Sequence, residues 1–417
     1  MQQQDPNPGE AGPAIAFNPF APGFDQDPYP AYEELREKAP VHYWEEGRGF
    51  LVSRFDDIMA VIRDDRFTPD AAAWELASTM AATIIPAMAE LSRGSLFSLS
   101  NKDHARVRKL LSPALTPRAI ERLRPDVQRI VDASLAAAEG ADTFDVARHF
   151  AEHIPARVIA AMLKIPAVAE GAFERFAGAV VQAIFPAMMT PEIRERLSKE
   201  ITEGVALVRE VIEERRRSPL ENDILTTLIQ TEEQGDKLNA DELLSLVAAL
   251  VVGGSETTVH LIDFTVLNLL RRPEVLEQVK AEPELLRGVL DEVLRFDFFG
   301  KAGITRYALE DVEVGGVAIK KGQMVMLMLG AGLRDHAAFN KADVFDIRRQ
   351  TNASIAFGNG AHYCIGANLA RLEGQVAVGT LLSRFPEMKL EEPPVFGRHP
   401  VIRKMESLKV RLRPSGA

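Results

Sequence analysis

From His104 to Leu294 the chain carries helical periodicity almost without a break, with Pro and Gly punctuating the periodic runs at Pro113, Pro166, Pro186, Pro191, Pro219 and Pro273. Helices of this kind bury their apolar stripes against one another, which confines the chain to a mainly α architecture. Upstream, AYEELREKAPVHYW and GFLVSRFDDIMAVIRDDRF predict a helix, a short strand pair and a second helix, because the pattern changes to alternation at Gly49 to Ser53. Downstream, strand signals return at VEVGGVAIKKGQMVMLMLG, ANLARLEGQVAVGTLLSRFP predicts one more amphipathic helix, and SLKVRLRP a terminal strand. No long Gly/Ser linker, repeat or low-complexity block divides the chain. The expectation is a mainly α fold with small β-sheets, in a single large domain over 21–417 behind a disordered or extended lead over 1–20.

With 417 residues, of which 46% are hydrophobic, the chain is long enough for a large core. Its net charge of −11 and aromatic share of 7% exclude nucleic acid as the main partner, since phosphate binding needs a clustered Lys/Arg footprint. The N-terminus lacks a basic segment followed by an apolar one, and the apolar stretches around Leu243 to Gly254 and Met324 to Leu329 are too short for a bilayer core of about 30 Å. A cytoplasmic monomer without a membrane or nucleic-acid partner is expected.

The chain has one cysteine, Cys364, which rules out an internal disulfide and any multi-thiolate metal site. It lies in Phe357–Gly358–Asn359–Gly360–Ala361–His362–Tyr363–Cys364–Ile365–Gly366, a Gly-rich loop directly before a helix. Loop amides and the helix N-terminus would stabilise a thiolate there and lower its pKa, although such a residue taken alone is more often a small buried cysteine. The pattern Phe-Gly-x-Gly-x-His-x-Cys-x-Gly resembles the haem-binding loop of the cytochrome P450 family. That resemblance implies the P450 fold, haem b as cofactor, Cys364 as the iron ligand, Phe357 shielding the sulfur, and Gly366 among the loop residues at the haem.

Other motifs agree with the resemblance. Gly253–Gly254–Ser255–Glu256–Thr257–Thr258 interrupts the apolar stretch from Asn239 to Leu270, and locally it reads equally well as a new helix capped by Ser255 or as one long, kinked helix. It resembles the family's oxygen-activation motif, which implies Thr257 as a hydrogen-bond donor to dioxygen, Glu256 as a proton relay, and glycines leaving room for dioxygen and substrate. Glu292 and Arg295 stand at i, i+3, ordinarily a surface pair. Here the family implies a structural triad with Arg349. His104 and Arg108, at i, i+4, match the family's propionate contacts, as do Arg306 and His362. His149 and His153 share the i, i+4 spacing but lack a third ligand, so an ordinary helix face is expected.

Framework segments such as SPLENDILTTL and LDEVLRFD resemble polyketide-tailoring members. Two departures stand out: Ser354 replaces a common His, and Phe296 to Ile304 lacks the common Pro and is one residue longer before Arg306. Substrate-lining candidates are Ala249, Val252, Gly253, Phe299, Ile304 and Val401, apolar residues that suit a pocket able to repack. The resemblance implies a monooxygenase that hydroxylates or epoxidises an apolar macrolide, polyketide or fatty-acid-like substrate with O2. Electrons would come from NAD(P)H through a ferredoxin and its reductase, docking near Lys102, Arg106, Lys109 and Arg371. The alternatives are a peroxide-driven peroxygenase and a non-catalytic haem-based sensor.

Overall fold

The computed structural model describes residues 15–81, 84–99, 101–165, 170–184, 189–221, 223–233, 238–301, 303–350 and 355–413. Ser354 and Ala302 therefore lie outside the described residues, as does the side chain of Lys102. The chain divides into two compact units.

The first unit comprises 1–82, 295–345 and 352–363. Its sheet has five strands, ordered Val41–Trp44, Gly49–Val52, Met324–Leu327, Ile304–Ala308 and Phe67–Thr68, with only the second and third running parallel. The predicted strand pair forms the edge hairpin, with Val41 opposite Val52 and Trp44 opposite Gly49. A core cluster that includes Val52, Phe55, Ile58, Val325, Leu327 and Phe339 fills the space beneath. Phe17 is buried against the rings of Phe24, Tyr32 and Trp44. Sequence patterning placed the returning strands from Val312 onward. The structure adds Ile304–Ala308 ahead of them, and this strand carries Arg306.

The second unit comprises 83–294, 346–351 and 364–417. Its axis is the helix Ala240–Leu270, packed against Ile154–Met162, Glu170–Gln182, Pro191–Arg217 and Ala367–Arg384. The apolar stretch around Leu243 to Gly254, read from sequence as too short to span a bilayer, belongs to this longer helix, the one described helix long and apolar enough to cross a membrane; most of its residues are buried among these neighbours, as for a helix apolar all round at the centre of a bundle. Asn239 and Glu242 form a reciprocal capping box at its start. The three-residue strand Thr143–Asp145, inside the stretch read as helical, pairs antiparallel with Lys409–Arg411. Asp145 locks that edge by accepting from Ser407 Oγ at 2.7 Å and from the Leu408 N–H at 2.9 Å.

Candidate active site

The cysteine loop has the backbone its glycines predict. Gly358 (φ +75°) and Gly360 (φ +65°) occupy the left-handed region in the first unit, where a side chain would strain the turn. Phe357 is half-buried, with its ring 6.3 Å from that of Tyr363. In the second unit Cys364 precedes the helix Ala367–Arg384. The residue is exposed, yet protein crowds the sulfur closely enough that burial pushes its thiol up from the usual value, against the amides of Gly366 and Ala367 and the charges of Arg108 and Arg371. This corrects the expectation of a lowered pKa: the predicted donors are present, but desolvation outweighs them. A bound metal ion removes such a proton outright.

The cations fit an anionic cofactor. Arg108 is half-buried and Arg306 is 8% exposed; neither has a carboxylate partner among the described residues, and burial lowers both pKa values. Arg306 Nη1 donates to its neighbour Thr305 O at 2.8 Å. His104, one turn before Arg108, is 2% exposed, and His362 is half-buried. A buried guanidinium without a counter-ion is costly, and a carboxylate-bearing cofactor offsets that cost. His104 and Arg108 in the second unit, and Arg306 and His362 in the first, each offer a donor of the kind a propionate needs.

The helix Ala240–Leu270 runs unbroken through the Gly-Gly-Ser-Glu-Thr-Thr segment, so Ser255 does not cap a new helix. Its hydroxyl instead donates to Val251 O at 2.6 Å, and Thr257 Oγ1 donates to Gly253 O at 2.8 Å. The two glycines differ. A Cβ on Gly253 would meet nothing within 4 Å, whereas one on Gly254 would overlap Ile159 Cδ1. Gly253 therefore borders open space, whereas Gly254 lets the helix pack closely against Ile159. Ala249, Val252, Gly253, Glu256 and Thr257, with Gly254 and Val259, form a half-buried or exposed stripe on a helix whose other central residues are buried.

Glu256 is the most perturbed acid of that stripe. Burial, with some like charge from Glu152, pushes its carboxyl up to about 7 against the opposing charge of Lys404. Its Oε1 lies 3.7 Å from Nε2 of His399, a buried residue that sequence reasoning missed. Nothing local marks His399, because its partner sits on a distant helix. Glu256 and His260 line a cavity of about 630 Å³ together with Glu152, Glu174, Arg175 and Lys404. This polar cavity is not lined by the predicted substrate residues on this unit, Ala249, Val252, Gly253 and Val401. In the first unit Phe299 is buried and stacked on Phe298, and Ile304 is half-buried.

Of the three residues expected to form a triad, Arg349 is half-buried and neither of the other two is a surface residue. Glu292 and Arg295 are both 0% exposed. Glu292 Oε1 accepts from the Asp346 N–H at 2.9 Å and from Arg349 Nε at 3.4 Å. Arg295 donates to the carbonyls of Leu333, Ala342 and Val344. Two of the cations expected at a redox-partner face are already committed within the chain: Arg106 pairs with Glu242 and Asp103, and Arg371 with Asp291 at 2.7 Å. His153 pairs with Glu174, and among the described residues no cluster of three metal-ligating side chains exists.

A lone cysteine directly before a helix, arginines withdrawn from water without a carboxylate partner, and an acid–alcohol pair on a long core helix are each features expected of a haem-thiolate oxygenase. The cytochrome P450 family profile matches residues 79–398, and the chain belongs to the cytochrome P450 family. It is 50% identical to the epothilone C/D epoxidase of Sorangium cellulosum, covering 100% of both chains. It is 35% identical to the mycinamicin IV hydroxylase/epoxidase of Micromonospora griseorubida, over 87% of this chain and 89% of that one. The solved structure of epothilone B-bound cytochrome P450epoK superposes with a TM-score of 0.92 at 50% identity, covering 96% of this chain and 100% of that one. The chain is thus a cytochrome P450 monooxygenase, acting on an organic substrate and O2 with haem and a redox partner. Bound haem supplies the iron at which dioxygen is activated.

Proposed function

We propose that this enzyme epoxidises a carbon–carbon double bond of a macrolide-type polyketide, using haem b and electrons from NAD(P)H through a ferredoxin and its reductase. Alkene, O2, two electrons and two protons give epoxide and water. The observation that carries the substrate class is the 50% identity with the epothilone C/D epoxidase along the whole chain. The half-buried stripe of Ala249, Val252 and Gly253 supports it, since it offers an apolar surface beside the acid–alcohol pair.

Each residue has a stated part in this reading. Cys364 would ligate the iron; Arg108, Arg306, His104 and His362 would hold the propionates; Phe357 and Gly366 would shape the sulfur's surroundings. Glu292, Arg295 and Arg349 brace the cysteine side. Glu256, with its carboxyl near 7, is populated in both protonation states at neutral pH and so can take and give a proton. Thr257 is next to it, and its hydroxyl turns from the Gly253 carbonyl to donate towards dioxygen. Ala249, Val252, Gly253, Phe299, Ile304 and Val401 contact the substrate. Residues 21–417 act as one catalytic domain, monomeric and cytoplasmic.

The test is a ligand screen following the haem low-to-high-spin shift, with epothilone-type macrolides against fatty acids, followed by NADPH-driven turnover. Saturable shifts with macrolides and an epoxide product are expected. Shifts confined to fatty acids, or macrolide turnover without oxygen in the product, would overturn the substrate assignment. For the electron donor, exposed Lys109 is the remaining described cation of the expected docking set. Lys109→Glu should slow reduction by ferredoxin more at low salt than at high salt, and equal rates at both would refute docking there.

A further inference from the structure

His399 is buried to 3% on the hairpin that returns toward the long core helix. Its Nδ1 accepts two backbone N–H groups, from Val401 at 3.2 Å and Ile402 at 3.1 Å. A ring nitrogen that accepts two N–H donors cannot itself carry hydrogen, so the imidazole is neutral and its proton sits on Nε2. That nitrogen lies 3.7 Å from Glu256 Oε1, just beyond hydrogen-bond distance and within reach of one on a small side-chain rotation, while Glu256 Oε2 is buried with no hydrogen-bond partner among the described residues. The turn is anchored, because the guanidinium of Arg403 lies 4.8 Å above the Phe264 ring of the long helix and 5.9 Å from that of Phe396.

We propose that His399 is a positioning residue for Glu256: a neutral Nε2–H donor, fixed by the 401–402 amides, that draws Oε1 into a hydrogen bond and so sets the orientation of the carboxyl. Nothing in the sequence pattern marks this role. The groups that face the pair are Lys404 on the same hairpin, His260 on the long helix and Glu152. The imidazole adds no charge to this set. It acts through a directed hydrogen bond that favours the ionised carboxylate. The proposal rests on the reading of Glu256 as the proton-delivering acid, and the experiments below report on the contact without turnover. Their failure therefore leaves the relay standing, and a relay that failed in turnover would leave the contact standing.

Two measurements on the haem-loaded enzyme decide it. Nitrogen-15 NMR of the histidine rings in the diamagnetic ferrous carbonyl state should show His399 neutral and protonated on Nε2 between about pH 6 and about pH 8. An Nδ1–H tautomer or an imidazolium there overturns the proposal. Infrared titration of the Glu256 carbonyl band, assigned by its loss in Glu256→Gln, supplies the second readout. His399→Asn keeps an acceptor for the turn amides but withdraws the donor from Glu256. The midpoint should move up by about one pH unit, the worth of a hydrogen bond to a charged group. His399→Gln, which restores an N–H at that reach, should reverse at least half of the move. An unchanged or lowered midpoint in folded His399→Asn protein refutes the donor role; if that variant does not fold, the ring-nitrogen spectrum of the native enzyme still decides.

Discussion

Glu256→Gln is expected to stabilise this protein at alkaline pH and to have little such effect in acid. Burial, the like charge of Glu152 and the opposing charge of Lys404 together raise the Glu256 carboxyl from 4.5 to about 7 in the folded chain. The folded state then binds this proton more tightly than the unfolded state. The resulting stability is fully present below the unfolded value and is lost as pH rises through the folded one. With a side chain only 10% exposed, little solvent screening applies. A rise of this size corresponds to roughly 3 kcal/mol at full ionisation. For a chain of 417 residues, an unfolding entropy of about 2 cal/mol/K per residue turns this into roughly 4 °C. Glutamine keeps the shape and removes the titration. Melting of the haem-loaded wild type and variant, followed by circular dichroism, should show the variant gaining several degrees at about pH 8 relative to its difference at about pH 5. A difference that does not change with pH, or one that favours the wild type in alkali, would refute the assignment of a costly buried carboxylate at this position.

The two neighbouring glycines of the core helix should separate cleanly in denaturant unfolding. Gly253→Ala, with open space around the new methyl, should stabilise by about 0.5–1 kcal/mol through helix propensity. Gly254→Ala should instead cost about 1–2 kcal/mol net, because the methyl overlaps Ile159, which is 3% exposed. Adding Ile159→Val, which removes Cδ1, should recover part of that loss; equal behaviour of the two glycine variants would contradict the packing described. Glu292→Ala removes the buried acceptor of both Arg349 and the Asp346 amide. A loss of about 3–5 kcal/mol is expected, with less haem retained at a given urea concentration.

What the sequence made legible was contiguous. The residues from Phe357 to Gly366 specify their loop by themselves, since glycines at 358 and 360 permit the left-handed turns observed. Glu256–Thr257 and the His104–Arg108 spacing are likewise local. What stayed hidden depends on long-range placement. Thr143–Asp145 is too short to show alternation, and it pairs with a strand at the far end of the chain. His399 has no meaning until folding brings it to Glu256. Arg106 reads as a free surface cation until Glu242, a capping residue of another helix, is found beside it. The thiol of Cys364 was misjudged because its donors are visible in sequence and its desolvation is not. The different duties of Gly253 and Gly254 emerge only once Ile159 is seen against one of them.

As the chain's one cysteine, Cys364 is the proposed thiolate ligand of the haem iron. The most direct measurement is the carbon monoxide difference spectrum of the reduced wild type and of Cys364→Ser, taken alongside circular dichroism. The wild type should give the strongly red-shifted band of a thiolate-ligated carbonyl haem, and the serine variant should lose that band while keeping its helical signal. A folded serine variant that retained the thiolate band would contradict the assignment.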